Sequence, residues 1–295
     1  MTRIHPIRLR QTLKKWTPPA LWNAASETRY ALNRAAQWPS ARFHPLRRDS
    51  VQRLAKYENL HRGQRCFIIG NGPSLKNTDM SRLKGEFTFG MNRIYLMFPE
   101  LGFATTYYAC INSMVIEQCA QDIRELAIPR FLSWRSHNLI TANSDHSANS
   151  DHSASELSNP MADSDLVYLH TTYTGPGFTK DARRRLWEGA TVTYVTLQLA
   201  YFMGFEKVIL IGVDHNYATK GKPNTTVVSQ GDDPNHFNAN YFGKGFHWQL
   251  PDLDTSEKGY AMARGAYEAD GRQVIDATVG GKLTIFPKVE YDKLF

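Results

Sequence analysis

From Arg65 onward, the chain alternates short apolar runs with longer amphipathic stretches. Apolar runs of four or five residues predict buried strands, and apolar positions three or four residues apart predict helices that cover a sheet. The runs predict strands at Arg65–Ile69, Phe87–Gly90, Thr106–Cys110, Arg130–Ser133, Leu166–Leu169, Lys207–Ile211 and Gln273–Asp276. The amphipathic stretches predict helices at Ser113–Leu126, Thr191–Met203 and Thr255–Asp270. This alternation predicts an α/β fold, with a mostly parallel sheet flanked by helices in a Rossmann-like nucleotide-binding domain.

The first 48 residues differ from the rest in charge. They hold ten of the 35 lysines and arginines but one of the 28 acidic residues, with apolar residues and tryptophans among the bases. This predicts a basic helical extension over residues 1–60, with two short helices broken at Pro18-Pro19. Bases and interfacial tryptophans suit a segment bound to an anionic membrane surface. The alternative is a solvated basic arm that packs on its own domain.

The catalytic domain is expected over residues 61–295, with a polar insertion at about 135–165. Within the insertion, the hexapeptide Asn-Ser-Asp-His-Ser-Ala occurs twice in tandem over residues 143–154. Sequence this poor in apolar residues cannot bury enough surface to offset the entropy of ordering. We therefore expect a mobile surface segment.

Composition excludes several classes of function. Beyond residue 48 the chain carries 25 bases and 27 acidic residues, so a nucleic-acid partner, which needs clustered bases, is not expected. The three cysteines show no CxxC spacing and indicate neither a zinc site nor a disulfide framework. No apolar run approaches the roughly 20 residues that span a bilayer. These features predict a cytoplasmic protein, peripheral on the inner face of the cell membrane if the extension binds lipid.

The turn after the first predicted strand is the strongest local signal, and it comprises Gly70, Asn71, Gly72, Pro73 and Ser74. Its two glycines let the backbone approach a ligand closely, and a helix beginning there would direct N–H groups at a phosphate. It is neither a Walker A loop nor a GxGxxG fingerprint, and a purely structural turn is the alternative. Because crevices form at strand ends of open α/β sheets, we interpret it as a nucleotide-binding loop.

Two further segments carry candidate chemistry. After the strand Lys207–Ile211, Asp214 is a candidate for a ribose hydroxyl or a metal ion, and Tyr217 for a phosphate oxygen. Residues 232–248 are aromatic and glycine-bearing without secondary-structure periodicity, as expected of an active-site lid. Their histidines, His236 and His247, are candidate general bases because histidine titrates near neutral pH. A capping aspartate, a packing tyrosine and ordinary surface histidines are the alternatives.

Four motifs together resemble known families. They are Gly-Asn-Gly-Pro-Ser-Leu at 70–75, Phe-Gly-Met-Asn-Arg at 89–93, Gly-Val-Asp-His-Asn-Tyr at 212–217 and Asn-Tyr-Phe-Gly-Lys-Gly at 240–245. They resemble the MptE-like family and the bacterial sialyltransferases of glycosyltransferase family 42, over about residues 60–295 apart from the insertion. The resemblance implies a cytidine monophosphate site formed by Gly70, Asn71, Gly72, Pro73, Ser74, Asn92, Thr191, Asp214 and Tyr217. Within it, Asp214 is similar to a ribose-contacting aspartate and Tyr217 to a phosphate-binding tyrosine.

The catalytic region departs from the sialyltransferase pattern at two positions. The family places its base histidine directly before Tyr-Ile-Gly, whereas Asn240 precedes Tyr-Phe-Gly here and His236 lies four residues earlier. Gly189 stands where the family has an arginine, two residues before Thr191. The resemblance therefore does not establish sialic acid as the donor sugar.

These observations predict a glycosyltransferase that uses a nucleotide-activated sugar, CMP-linked, on a glycan or glycolipid acceptor, with no cofactor required. One alternative is a magnesium-dependent pyrophosphokinase, as in the archaeal MptE-like proteins, with Asp214, Asp232 and Asp233 as candidate metal ligands. The other is a non-catalytic nucleotide-binding protein that lacks a general base.

Overall fold

The computed structural model describes residues 18–141 and 163–295. Two compact units divide the chain, one ending at His44 and the other running from Pro45 to Phe295. In the first unit, helix α1 (Pro19–Phe43) begins at the predicted Pro18-Pro19 break, but it is 25 residues long and not the short helix that was predicted. Proline suits this position because the first helical residue needs no N–H donor. Residues 1–17 and 142–162, which hold the other predicted short helix and most of the insertion, lie outside the described residues.

A sheet of seven parallel strands forms the centre of the second unit. Its order is β11-β8-β1-β2-β3-β4-β5, and two short two-stranded sheets pair β6 with β7 and β9 with β10. The strands are β1 Arg65–Ile69, β2 Phe87–Met91, β3 Tyr107–Cys110, β4 Arg130–Ser133, β5 Leu166–Leu169, β6 Thr171–Thr172, β7 Leu186–Trp187, β8 Lys207–Ile211, β9 Thr226–Val228, β10 His247–Gln249 and β11 Gln273–Asp276. The predicted α/β fold, a parallel sheet flanked by helices, is confirmed. The apolar runs located all seven main strands because a parallel sheet is buried on both faces.

Helices of the second unit connect its strands and flank the sheet. They are α2 Pro45–Ala55, α3 Phe98–Leu101, α4 Ser113–Gln118, α5 Ala120–Glu125, α6 His137–Thr141, α7 Val192–Phe202 and α8 Leu253–Ala269. The helix predicted over Ser113–Leu126 divides at Cys119, whose φ of −126° leaves the helical range. Helix α7 is buried on every side from Thr193 onward, and its Leu197 carbonyl accepts a hydrogen bond of 2.8 Å from Tyr267 of α8. None of the described helices is both long and apolar enough to cross a membrane.

The strand order reverses beside β1. The chain runs outward from β1 to β5 on one side, then returns to the other side of β1 to form β8 and β11. Ile69, the last residue of β1, pairs with Gly90 of β2 and with Ile211 of β8. The carboxyl ends of parallel strands form a crevice at such a reversal. The loops after β1, β2 and β8 therefore meet at one edge of the sheet.

Helix α2 belongs to the sheet unit. The backbone N–H of Tyr168 in β5 donates to the Ser50 hydroxyl at 3.0 Å, the Arg53 guanidinium donates to the carbonyl of Asp163, and Leu54 is fully buried. The second unit thus begins at Pro45, within residues that the sequence analysis assigned to the extension.

A chain that begins at Pro45 should be more stable than one that begins at His61. Both lack α1, but the shorter chain also loses the buried Leu54 and the bond from β5 to Ser50. Removing one buried leucine side chain costs roughly 2–5 kcal/mol, so the shorter chain should unfold at lower urea concentration. Equal unfolding midpoints would show that α2 adds nothing to the stability of this unit.

Candidate functional site

The loop after β1 packs directly on the loop after β8. The N–H of Gly70 donates to the Ile211 carbonyl at 2.7 Å, and the N–H of Gly72 donates to the Gly212 carbonyl at 2.9 Å. A Cβ atom added to Gly70 would lie 2.1 Å from the Gly212 oxygen, closer than any real contact. Gly70 is therefore required by the protein's own backbone, and both N–H groups already have acceptors.

Asp214 and Ser74 join the two loops by side-chain hydrogen bonds. The N–H and the hydroxyl of Ser74 donate to the Asp214 carboxylate at 3.1 and 2.7 Å. A Cβ atom on Gly72 would lie 1.7 Å from Oδ2 of the same carboxylate. Burial raises the pKa of Asp214, and the bonds from Ser74 act in the opposite direction.

The segment that follows Gly72 is a 3-10 helix, Pro73–Asn77. The sequence analysis expected a helix whose free N–H groups face a phosphate. Instead, the N–H of Ser74 donates to Asp214, and Pro73 has no N–H. A single 3-10 turn of this length provides no helix dipole comparable to that of a long α-helix.

Asn71 retains an unused hydrogen-bonding atom at the end of β1. Its Nδ2 donates to the Met91 carbonyl at 3.1 Å, and its own carbonyl accepts from the N–H of Phe237 at 2.9 Å. Its Oδ1 is buried and has no partner among the described residues. Since a buried acceptor without a donor is costly, this oxygen is suited to a donor group of a ligand.

The residues after β2 anchor the segment that the sequence analysis interpreted as a lid. Asn92 has a φ of 50°, a left-handed conformation that asparagine tolerates, and its carbonyl accepts from Tyr108 at 2.6 Å. Arg93 donates from its guanidinium to the carbonyls of Asn240 and Tyr241. The Arg93 N–H also donates to the Tyr241 hydroxyl at 3.2 Å.

His236 forms an oriented pair with Asp233. The His236 Nδ1 lies 2.7 Å from Oδ2 of Asp233, and the two side chains are 12% and 4% exposed. The imidazole stacks on the Tyr241 ring with centroids 4.0 Å apart. No described residue is hydrogen-bonded to its Nε2. The arrangement fixes the ring and leaves one nitrogen available for proton transfer.

His247 lies elsewhere. It belongs to β10, its side chain is exposed, and its backbone N–H and carbonyl bond the Gln118 side chain at 2.8 and 2.9 Å. The structure therefore does not place the two candidate histidines in equivalent environments.

Tyr217 and Thr191 are the remaining candidate residues of the predicted nucleotide site. Burial raises the pKa of Tyr217, and the nearby Asp214 and Asp233 carboxylates raise it further. Thr191 caps α7 by accepting the N–H of Thr193 at 3.2 Å, and Tyr260 reaches its hydroxyl at 3.5 Å. Tyr217 is therefore within electrostatic range of both Asp214 and Asp233.

The candidate magnesium ligands do not form a shared set. Within residues 18–141 and 163–295, no group of three His, Cys, Asp or Glu side chains is arranged to hold a metal ion. Asp214 accepts from Ser74, Asp233 pairs with His236, and Asp232 is exposed.

Three residues that contribute to this edge were assigned no role by the sequence analysis. Arg93 and Tyr241 carry no sequence signal for their mutual contact, which depends on tertiary packing. Asp276 is fully buried at the end of β11, where Lys288 donates to it at 2.5 Å, and it adds to the rise in the pKa of Asp214. Asp276 is the last residue of a predicted strand, and a polar residue at a strand end is the signal that identified Asp214.

No protein-family model, curated protein or solved structure matches this chain. The resemblance to the MptE-like family and to the sialyltransferases therefore stays a prediction from the motifs. The geometry described above carries the functional argument.

Replacing Gly72 with alanine should lower the free energy of unfolding by about 1–3 kcal/mol, the usual cost of overpacking. In an Asp214→Ala background the loss should be smaller by at least about 0.5 kcal/mol, because the nearest clashing atom is gone. Urea unfolding of the four chains measures this coupling. Gly243→Ala is the control, since its added Cβ meets nothing closer than 3.9 Å. Equal losses in both backgrounds would contradict the contact.

Proposed function

We propose that this chain is a glycosyltransferase that moves a sugar from a CMP-linked donor to a glycan or glycolipid hydroxyl, with His236 as general base. The observation that carries the proposal is the His236–Asp233 pair, at the sheet edge where the strand order reverses. It supplies an oriented base next to the crevice in which α/β folds bind nucleotides.

The proton transfer follows from the hydrogen bond of His236. With Nδ1–H donating to Asp233, the neutral ring presents the Nε2 lone pair to an acceptor hydroxyl. As that oxygen forms the glycosidic bond, its proton passes to Nε2, and the bond between sugar and phosphate breaks to release CMP. The Asp233 carboxylate then stabilises the imidazolium, as an orienting carboxylate does in other histidine-based sites. Tyr241, held by Arg93, fixes the plane of the ring.

The donor is assigned to the loops after β1 and β8. The Gly70 and Gly72 N–H groups already donate to protein acceptors. The Tyr217 hydroxyl therefore stabilises the charge that develops on the phosphate, by donating a hydrogen bond to it. That hydroxyl is protonated at neutral pH, since burial raises its pKa further above the ordinary tyrosine value, and it can donate a hydrogen bond. In this arrangement the Asp214 carboxylate, which also accepts from Ser74, accepts from a ribose hydroxyl. The free Oδ1 of Asn71 accepts from a donor group of the nucleoside.

Replacing His236 with alanine should lower turnover by roughly 10²–10⁴-fold with little change in donor affinity, since a general base acts in the transition state. His247→Ala is the matched control and should keep wild-type turnover, because its side chain is exposed on β10. Steady-state kinetics and calorimetry of CMP binding measure the two effects separately. Equal turnover in both variants and the wild type would remove His236 as the base.

Hydrolysis of the donor by the purified chain, with and without EDTA, separates the proposal from its rivals. Cleavage of a CMP-sugar that survives EDTA supports the glycosyltransferase. Activity with ATP that EDTA abolishes supports the magnesium-dependent pyrophosphokinase, with Asp214, Asp232 and Asp233 as first ligands to test. Nucleotide binding without turnover of either substrate supports the non-catalytic nucleotide-binding protein.

Helix α1 is proposed to attach the enzyme to an anionic membrane surface on the cytoplasmic side. Leu21, Leu32 and Phe43 are 63%, 65% and 62% exposed and follow one another at intervals of eleven residues. Eleven residues are close to three helical turns, so these side chains form one apolar stripe. With the exposed Arg29 and Arg42, the helix offers both the apolar and the basic groups that interfacial binding uses.

Replacing Leu32 with glutamate should reduce co-sedimentation of the full chain with anionic liposomes, because it places a charge in the apolar stripe. Asn33→Glu makes a similar change in net charge one residue away, off the stripe, and should reduce binding less. Added salt should weaken binding of all three chains. Equal losses of binding in both variants would show that charge alone governs attachment. Absence of liposome binding by the wild type at low salt would contradict the proposed membrane attachment.

A further inference from the structure

An arginine is buried in the first turn of α2 without a compensating carboxylate contact. Arg47 is 1% exposed, and its Nη2 donates to the Arg183 carbonyl at 2.8 Å. Its Nε and Nη1 are buried and have no partner among the described residues. Burial lowers the pKa of Arg47 to about 10, and the Asp181 carboxylate acts in the opposite direction. The helix dipole also disfavours a cation in a first turn.

The position of Arg47 follows from the direction of α2 along β5. Arg53 contacts the carbonyl of Asp163 before β5, and Ser50 contacts Tyr168 within it. Arg47, one turn earlier in the helix, therefore lies towards the carboxyl end of β5. His170 directly follows that end, and burial together with the Arg47 guanidinium lowers its pKa.

A second arginine reaches the same place from β4. Arg135, two residues beyond β4, donates to the buried Glu188, while its Nε is buried and unpartnered within the described chain. Its guanidinium also lowers the pKa of His170, as does that of Arg185. Glu188 offsets the charge of Arg135, and no comparable ion pair within the described chain offsets Arg47.

We propose that Arg47, Arg135 and His170 form a binding site for an oxyanion, a phosphate or carboxylate group, at the carboxyl ends of β4 and β5. A buried guanidinium with unused N–H groups is costly in isolation and is the group that proteins use to hold such anions. An anion there supplies both the missing charge and the missing acceptors.

The same site suits the acceptor rather than the donor. Adjacent strands lie about 4.8 Å apart, so the end of β5 is roughly 19 Å from the end of β1. That distance exceeds the span between the nucleoside and the sugar of one donor molecule. On the basis of the proposed function, the group that binds at this site is an acidic sugar or a phosphate of the glycan or glycolipid acceptor.

Thermal unfolding of the full chain with inorganic phosphate, or with acetate, at constant ionic strength tests the site. An anion concentration of about ten times the dissociation constant should raise the melting temperature of the wild type by roughly 3–5 °C. The more effective anion identifies the preferred group. Arg47→Met should lose this shift yet melt near the wild-type temperature without anion, because an apolar side chain of similar size replaces an uncompensated charge.

Two controls separate this proposal from general effects. Arg184→Met removes a nearby arginine that is 80% exposed and should keep the full shift. His236→Ala should also keep the full shift in melting temperature. The proposed anion site and the proposed glycosyl transfer can therefore be disproved independently of each other. No shift in the wild type, or an undiminished shift in Arg47→Met, overturns the proposal.

If Arg47→Met does not fold, wild-type crystals soaked in selenate give the decision. An anomalous peak within hydrogen-bond distance of Nε or Nη1 of Arg47 supports the site. A peak elsewhere only, or no peak, overturns it.

Discussion

The contact between the loop after β1 and the loop after β8 is the constraint on which the candidate site depends. Parallel pairing brings Ile69 and Ile211 to the same level, so the residues that follow must pass one another at backbone distance. Only glycine fits at Gly70 and Gly72, where a Cβ atom would overlap a carbonyl or a carboxylate. The resulting hydrogen bonds fix Asp214 against Ser74. Asn71, which lies between the two glycines, extends the site from that contact to the end of β2.

Beyond this contact, the residues of the site are held in place by hydrogen bonds rather than by helices or strands. The Asn71 side chain donates to the carbonyl of Met91, the last residue of β2. Its backbone carbonyl accepts from the N–H of Phe237, in the segment 232–246. Arg93 then holds Tyr241, and Tyr241 supports the imidazole of His236 by stacking. Residues 232–246 contain no helix or main-sheet strand, yet His236 is mostly buried and is oriented by Asp233 and Tyr241 of the same segment. Asn71 and Arg93, which follow β1 and β2, hold this segment in place.

Buried charges of opposite sign occupy different parts of the same sheet edge. The part-buried carboxylate of Asp214 follows β8 and the buried Asp276 ends β11, whereas Arg47 and Arg135 lie near the ends of β4 and β5. A buried ion stabilises a fold only when its partners are well arranged, and replacement by apolar residues is often neutral. Asp276 and Arg135 are in ion pairs, and Asp214 accepts two hydrogen bonds from Ser74. Among the described residues Arg47 has no ion-pair partner, and two of its buried nitrogens have no partner at all, so stability does not explain its burial. The two proposed binding regions assign a ligand to each part.

The sequence by itself determined the α/β class and all seven main strands, because strands buried on both faces must be apolar throughout and polar residues mark their ends. It also located Asp214 and the glycine turn, since strand ends are where polar groups collect. It did not distinguish His236 from His247, nor show that Gly72 faces Asp214 rather than a ligand, nor single out Arg47. Those properties depend on which distant segments meet. Burial and hydrogen bonding are set by neighbours in space, and only the tertiary structure decides them.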